Sequence, residues 1–137
     1  GGLVSLMTPE EHDDKMTVVL GLSHFIAVVS ADTLVSSNRA ARPAMFGSVT
    51  YKVLLTLVES VISENPELYA AIQMNLPGIA DMEALFQGKV AEWAKMVKKK
   101  DRDAFISQMK ALKSRLEQDN PDFGKAYENM YRLASGL

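Results

Sequence analysis

The sequence predicts an all-α fold of about six helices, and three observations carry that prediction. Apolar residues recur at the spacing of a helix, not of a strand, through most of the chain. Helix-start signals stand in front of those stretches: Thr8-Pro9-Glu10-Glu11, Asn65-Pro66-Glu67, Asp101 and Asn120-Pro121. No internal repeat or low-complexity segment interrupts them. At 137 residues the chain fits one domain, large enough to bury a core without cross-links.

Leu3 to Met7 is a short apolar run of strand character with no partner strand nearby. Residues 1–7 are therefore read as the end of a preceding domain, with Gly1-Gly2 equally open to reading as a non-native remnant. Residues 8–137 are read as one helical domain. Helix one takes Thr8 as N-cap and Pro9 as first residue, with Glu11 closing a capping box. It runs to about Leu34. Its middle is apolar almost all round, which predicts a long buried helix. A domain of this size rarely surrounds such a helix, so a partner subunit is expected. A polar loop follows, from Val35 to Pro43. Helix two spans roughly Met45 to Glu64, with Val49, Leu54, Leu57, Val58, Val61 and Ile62 as its apolar side.

Asn65-Pro66 starts a short helix three to about Asn75, and Pro77-Gly78 is a turn. Helix four runs from about Ile79 to Lys99, with a stripe through Met82, Leu85, Phe86, Val90, Trp93, Met96 and Val97. Asp101 caps helix five, whose stripe is Phe105, Met109, Leu112 and Leu116. Asn120-Pro121 opens helix six, carrying Phe123, Tyr127, Met130 and Ala134. The methionines and aromatic stripes are read as core, not as a cofactor box.

Net charge is -2 and the pI about 5.7, which supplies no basic field for nucleic acid. The run Lys95 to Lys100 with Arg102 is read as a solvated helix end whose cations complement the helix dipole. No signal peptide is visible. The most apolar stretch, Met16 to Ala31, is interrupted by Gly21, Ser23 and His24 and is shorter than the ~20 apolar residues of a membrane span. It is expected to be a core helix rather than a span. The absence of cysteine removes disulfides, thiolate metal sites and thiol nucleophiles, and is compatible with a reducing, cytoplasmic location.

The chain has no Gly-x-Gly-x-x-Gly, P-loop, Gly-x-Ser-x-Gly or His-Glu-x-x-His motif. Its two histidines, His12 and His24, are separated on one helix by ~18 Å of rise and ~120° of rotation, so they do not share an ion. His12 lies in the acidic first turn near solvent. His24 lies deep in the apolar stretch. Asp13, Thr17 and His24 fall within ~40° of each other on a helical wheel. Burying such groups costs ~1–3 kcal/mol each unless they are paired. They are therefore expected to face a partner, a cleft or water, the alternative being a packed histidine bonded to a neighbour. A second polar stripe, Lys52, Thr56, Glu59 and Ser63, is either a solvated face of helix two or one wall of a cleft.

Thr8-Pro9-Glu10-Glu11-His12-Asp13 followed by Gly21-Leu22-Ser23-His24-Phe25 resembles the opening of the C-terminal domain of prephenate dehydrogenases. Tyr51-Lys52, then Asn65-Pro66-Glu67-Leu68-Tyr69 with Ile72, resemble the next landmarks. The similarity covers nearly the whole chain. It implies an intertwined helical homodimer like the C-terminal domain of 6-phosphogluconate dehydrogenase. It also implies one half of an enzyme that oxidises and decarboxylates prephenate to 4-hydroxyphenylpyruvate in tyrosine biosynthesis. NAD or NADP would be held by an N-terminal Rossmann domain absent from this sequence, along with the catalytic histidine. The chain alone is thus expected to bind no cofactor and to be inactive, and neither nucleic acid nor membrane is expected as a partner.

Carried over by position, the resemblance makes His24 a substrate-side residue, with Lys52 where relatives often have arginine and Tyr69 an aromatic lining the pocket from across the dimer. His12, Asp13 and Thr17 would organise the cleft. Ser60 stands where relatives often place a carboxylate-binding arginine, and serine lacks that bidentate, charged grip. Lys52, Arg39 or Arg42 would then take over, or the substrate differs, arogenate being one candidate. A helical dimerisation module without a small-molecule site is the other reading.

Overall fold

The computed structural model describes residues 6–38 and 48–137. Six helices and no strand occur among them: α1 Pro9–Ser37, α2 Val49–Ile62, α3 Pro66–Asn75, α4 Ile79–Lys98, α5 Arg102–Asp119 and α6 Ala126–Ser135. The expected loop at Arg39 and Arg42, the first residues of helix two as read from sequence, and residues 1–5 lie outside the described residues.

The helix ends follow from local chemistry. Thr8 is extended, its hydroxyl accepts from the Glu11 N–H at 3.1 Å, and the Glu11 carboxylate accepts from the Thr8 N–H at 3.4 Å. Two of the free amides of the first turn are thus satisfied. Asn65 caps α3 through its side-chain oxygen, which accepts from the Glu67 N–H at 2.9 Å, and Pro66 fills the first helical position. Leu76 is extended because Pro77 follows it. Gly78, at φ 76°, turns the chain into α4 in a backbone region that L side chains avoid.

α4 ends in a tight motif. Lys100 is left-handed at φ 55°, its N–H donates to the Val97 carbonyl, and the Asp101 N–H reaches back to the Met96 carbonyl at 2.9 Å. Asp101 then serves α5 as N-cap, accepting from the Ala104 N–H at 3.2 Å. Helix six starts later than the Asn120-Pro121 signal suggests. Asn120 accepts from the Asp122 N–H, a short 3-10 turn Phe123–Lys125 intervenes, and α6 begins at Ala126.

α1 is not a uniform α-helix. Thr17–Leu22 form a π turn inside it. A π turn bonds i→i+5, interrupts the i→i+4 ladder and rotates everything beyond it relative to a regular helix. Side-chain donors gather on the carbonyls there. The Ser23 hydroxyl donates to Val19, and the Thr17 hydroxyl to Asp13.

The chain divides into two compact units, Gly1–Ala41 with Leu57–Leu85, and Arg42–Thr56 with Phe86–Leu137. In the first, α1 packs along α3, and Ala27, Val58, Val61 and Ile79 form the apolar core. In the second, Trp93 of α4 meets Phe105 of α5 edge to face at 5.0 Å, and Met96 and Ala134 are buried.

Two sequence expectations are corrected. The stripes of α4 and α5 are core only in part. Met96 is buried, but Leu85, Val90 and Val97, and Met109, Leu112 and Leu116, stay half exposed or more. A stripe becomes core only where another element faces it. On α5 it instead lines an open apolar groove of about 540 Å³ with Ile106 and Phe123. The second correction concerns α1. It continues straight through Gly21, Ser23 and His24, so by length and composition it is long and apolar enough to cross a membrane. Among the described residues, packing buries only Thr17, Gly21 and Ala27 of it, and most of its apolar surface stays uncovered by them.

Candidate functional site

The polar groups of α1 meet α3 along an antiparallel seam within the first unit. Three contacts define it. The Thr17 hydroxyl donates to the Pro77 carbonyl at 2.7 Å. The Gln73 amide nitrogen donates to the Gly21 carbonyl at 2.9 Å. The His24 imidazole meets the Tyr69 ring edge to face, centroids 4.7 Å apart. Positions 17, 21 and 24 rise along α1 as 77, 73 and 69 descend along the α3 side.

Close approach makes this seam possible. A Cβ on Gly21 would lie within 2.7–3.1 Å of the Ile79 side chain, so glycine lets α1 sit directly against the start of α4. Thr17 is buried at 5% exposure, and its single hydroxyl proton lies between two carbonyl acceptors, Pro77 at 2.7 Å and Asp13 at 2.9 Å.

Two buried side-chain atoms on the seam have no hydrogen-bond partner among the described residues, His24 Nδ1 and Gln73 Oε1. An unpaired buried polar atom costs ~1–3 kcal/mol, so each marks a place where a further hydrogen-bonding group would be stabilising. His24 itself is half-buried rather than sealed. It is neither a fully bonded core histidine nor a solvent residue.

The other expected site residues are placed differently. Of the stripe Asp13, Thr17 and His24 expected on one helical wheel, Thr17 and His24 do share the face toward α3 despite the intervening π turn, whereas the Asp13 carboxylate turns to His12. The groups turned toward α3 are Thr17, the Gly21 carbonyl and His24. The Asp13 carboxylate lies 3.6 Å from His12 Nδ1, both side chains about half exposed, a pairing of little energetic weight. Lys52 lies on α2 in the second unit, half-buried, its carbonyl accepting from the Thr56 hydroxyl at 2.8 Å. Ser60 is exposed and its hydroxyl folds back to the Leu57 carbonyl, so it extends no grip outward. Glu59 and Ser63 are exposed, which fits the solvated-face reading of that end of the stripe. Arg39 and Arg42 are outside the described residues.

Sequence reasoning missed Gly21, Gln73 and Ile79 as seam residues. A signal existed: glycine inside an apolar helix marks a close approach, and Tyr69, Gln73 and Pro77 recur every four residues. Elsewhere, on α6, Tyr127 and Tyr131 pack edge to face at 5.2 Å. The side-chain interaction with neighbouring Tyr127 holds the Tyr131 phenol pKa above its ordinary value.

Comparison with known proteins places this geometry in a family. Residues 8–111 match the family model described as "Prephenate dehydrogenase, dimerization domain". A protein of Methanocaldococcus jannaschii described as "Probable arogenate/prephenate dehydrogenase" is 35% identical over 111 residues, covering 80% of this chain and 25% of that protein. The chain therefore spans about a quarter of the length of that relative, matching its C-terminal region. No solved structure matches. The family match runs from the Thr8 cap through the whole seam into α5, well over half of the chain, and on that ground the chain belongs to the prephenate dehydrogenase dimerization-domain family.

Proposed function

We propose that this chain is the helical half of an NAD(P)-dependent dehydrogenase acting on prephenate or arogenate, and that it supplies a homodimer interface and one wall of the substrate pocket. The observation that carries the pocket is the orphaned Nδ1 of His24, buried beside the Tyr69 ring on the seam. A hydroxyl or carboxylate of a cyclohexadienyl substrate would give that nitrogen its partner, and the Tyr69 ring would orient the imidazole edge-on. In this role His24 binds and orients.

The interface half of the proposal rests on α1. Val18, Val19, Val28, Val29 and Val35 are exposed on a helix that the described residues hardly cover. Exposed apolar area on that scale marks an association surface, and a second copy is the occupant that a dimerization family suggests. Thr17, Ser23, His24 and Asp32 on the same helix suit a protein interface better than lipid.

The described residues contain no strand followed by a glycine-rich turn and a helix, the arrangement that holds a dinucleotide in a Rossmann sheet. The nucleotide would be held by a separate half of the longer protein. The substrate is either prephenate or arogenate. The relative's description includes both, and Ser60 leaves the expected carboxylate grip unfilled.

The test is turnover of the full-length protein on each acid, with His24→Ala and Lys52→Ala variants numbered as here. Loss of activity in His24→Ala is expected. Lys52→Ala is expected to raise KM more than it lowers kcat if Lys52 only binds ground-state charge. Unchanged turnover of His24→Ala on both acids would remove the pocket from the proposal.

A further inference from the structure

We propose that Gln73 is a positioning residue for His24: its amide, bonded to the Gly21 carbonyl, holds the π turn that carries the imidazole against Tyr69. This inference rests on the His24 reading above for its catalytic consequence, but its geometric content stands apart from it.

The argument starts from the backbone. A π turn breaks the regular ladder, and the carbonyls at such a break need other donors. Gly21 lies in the π turn, three residues before His24, and Gln73 is the side chain from another helix that reaches its carbonyl. The carbonyl can only accept, so the amide nitrogen must face it, and the orientation of the Gln73 amide is fixed by chemistry. Gln73 is one turn along α3 from Tyr69. One helix therefore provides both the ring that packs on His24 and the donor that secures the backbone carrying it.

The opposite end of the same amide is Oε1, buried without a partner among the described residues, as is His24 Nδ1. A glutamine kept only for packing would be better replaced by an apolar side chain, which buries no orphan atom. Holding Gly21 with one end while leaving the other unpaired fits a residue retained for what it positions.

The chain has only two histidines, so their imidazole resonances can be followed individually by NMR in ¹⁵N-histidine-labelled protein. Gln73→Met keeps length and removes the donor. Its His24 resonances are expected to move toward those of a Tyr69→Leu variant, which lacks the ring, while His12 stays in place. A folded Gln73→Met protein with His24 resonances unchanged would overturn the proposal. In the unaltered protein, one Gln73 side-chain amide proton is expected to exchange slowly with solvent, and fast exchange of both would also overturn it, with no variant required.

In the full-length enzyme, Gln73→Met is expected to lower kcat by about 10- to 100-fold, the scale of a misplaced group, with a smaller change in KM. Gln73→Asn, which keeps the donor on a shorter arm, is expected to recover part of both signals. If the unaltered enzyme oxidises neither acid, the proposed function fails and the two NMR readouts still decide the role of Gln73.

Discussion

The Gly21 backbone lies directly beneath Ile79: a Cβ added there would sit 2.7 Å from Ile79 Cδ1 and 3.1 Å from Cγ1. Ile79 is itself buried at 6% exposure, so its side chain has little room to retreat.

Gly21→Ala is therefore expected to destabilise the fold despite alanine's better helix propensity. The propensity gain is about 1 kcal/mol, and overpacking costs about 1–3 kcal/mol. A net loss of about 1 kcal/mol should appear in urea denaturation. Adding Ile79→Val, which removes Cδ1, should return part of it. A Gly21→Ala protein more stable than the parent would show that the helices do not meet this closely.

Thr17 ties α1 to the α3–α4 turn through the Pro77 carbonyl. Thr17→Val keeps the shape and removes the hydroxyl, leaving that carbonyl without its donor. A loss of about 1–3 kcal/mol is expected, measured by the same denaturation, whereas Thr17→Ser should lose clearly less. Equal losses in the two variants would mean that the methyl, not the hydroxyl, matters.

Tyr69 contributes a ring to His24. Tyr69→Leu should cost about 0.5–1.5 kcal/mol beyond the change in buried area, and Tyr69→Phe little. In the full-length enzyme the Leu variant should bind substrate more weakly. Identical KM values for the Leu variant and the parent would separate Tyr69 from the pocket.

If α1 is covered by a second copy, sedimentation should find a dimer at micromolar concentration, with a melting temperature that rises with concentration. Val19→Glu and Val29→Glu, each a charge on the uncovered side of α1, should shift the population to monomer. A monomeric parent protein would sink the interface proposal.

Lys100 adopts φ 55° at the position after α4 where glycine is usual. A left-handed L residue costs about 1–2 kcal/mol, offset in part by glycine's greater freedom when unfolded. Lys100→Gly should thus stabilise the protein by about 0.5 kcal/mol, read as a higher urea midpoint at unchanged slope.

The sequence by itself determined the helical class and several of the helix ends, though not the start of α6. Thr8, Asn65 and Asp101 cap their own helices through atoms a few residues away, and such local chemistry needs no tertiary context. The same is true of the order of motifs that resembles the prephenate dehydrogenase family. Only the tertiary structure decided which polar groups meet. The wheel put Thr17 and His24 on one face, and both meet the α3 side, but it showed neither the π turn at Thr17–Leu22 nor Gly21 set against Ile79 with its carbonyl bound by Gln73 from across the seam. Burial was equally beyond the sequence pattern. Met96 and Met109 sit on similar stripes, yet the first is buried and the second is not, because a stripe leaves water only when another element covers it.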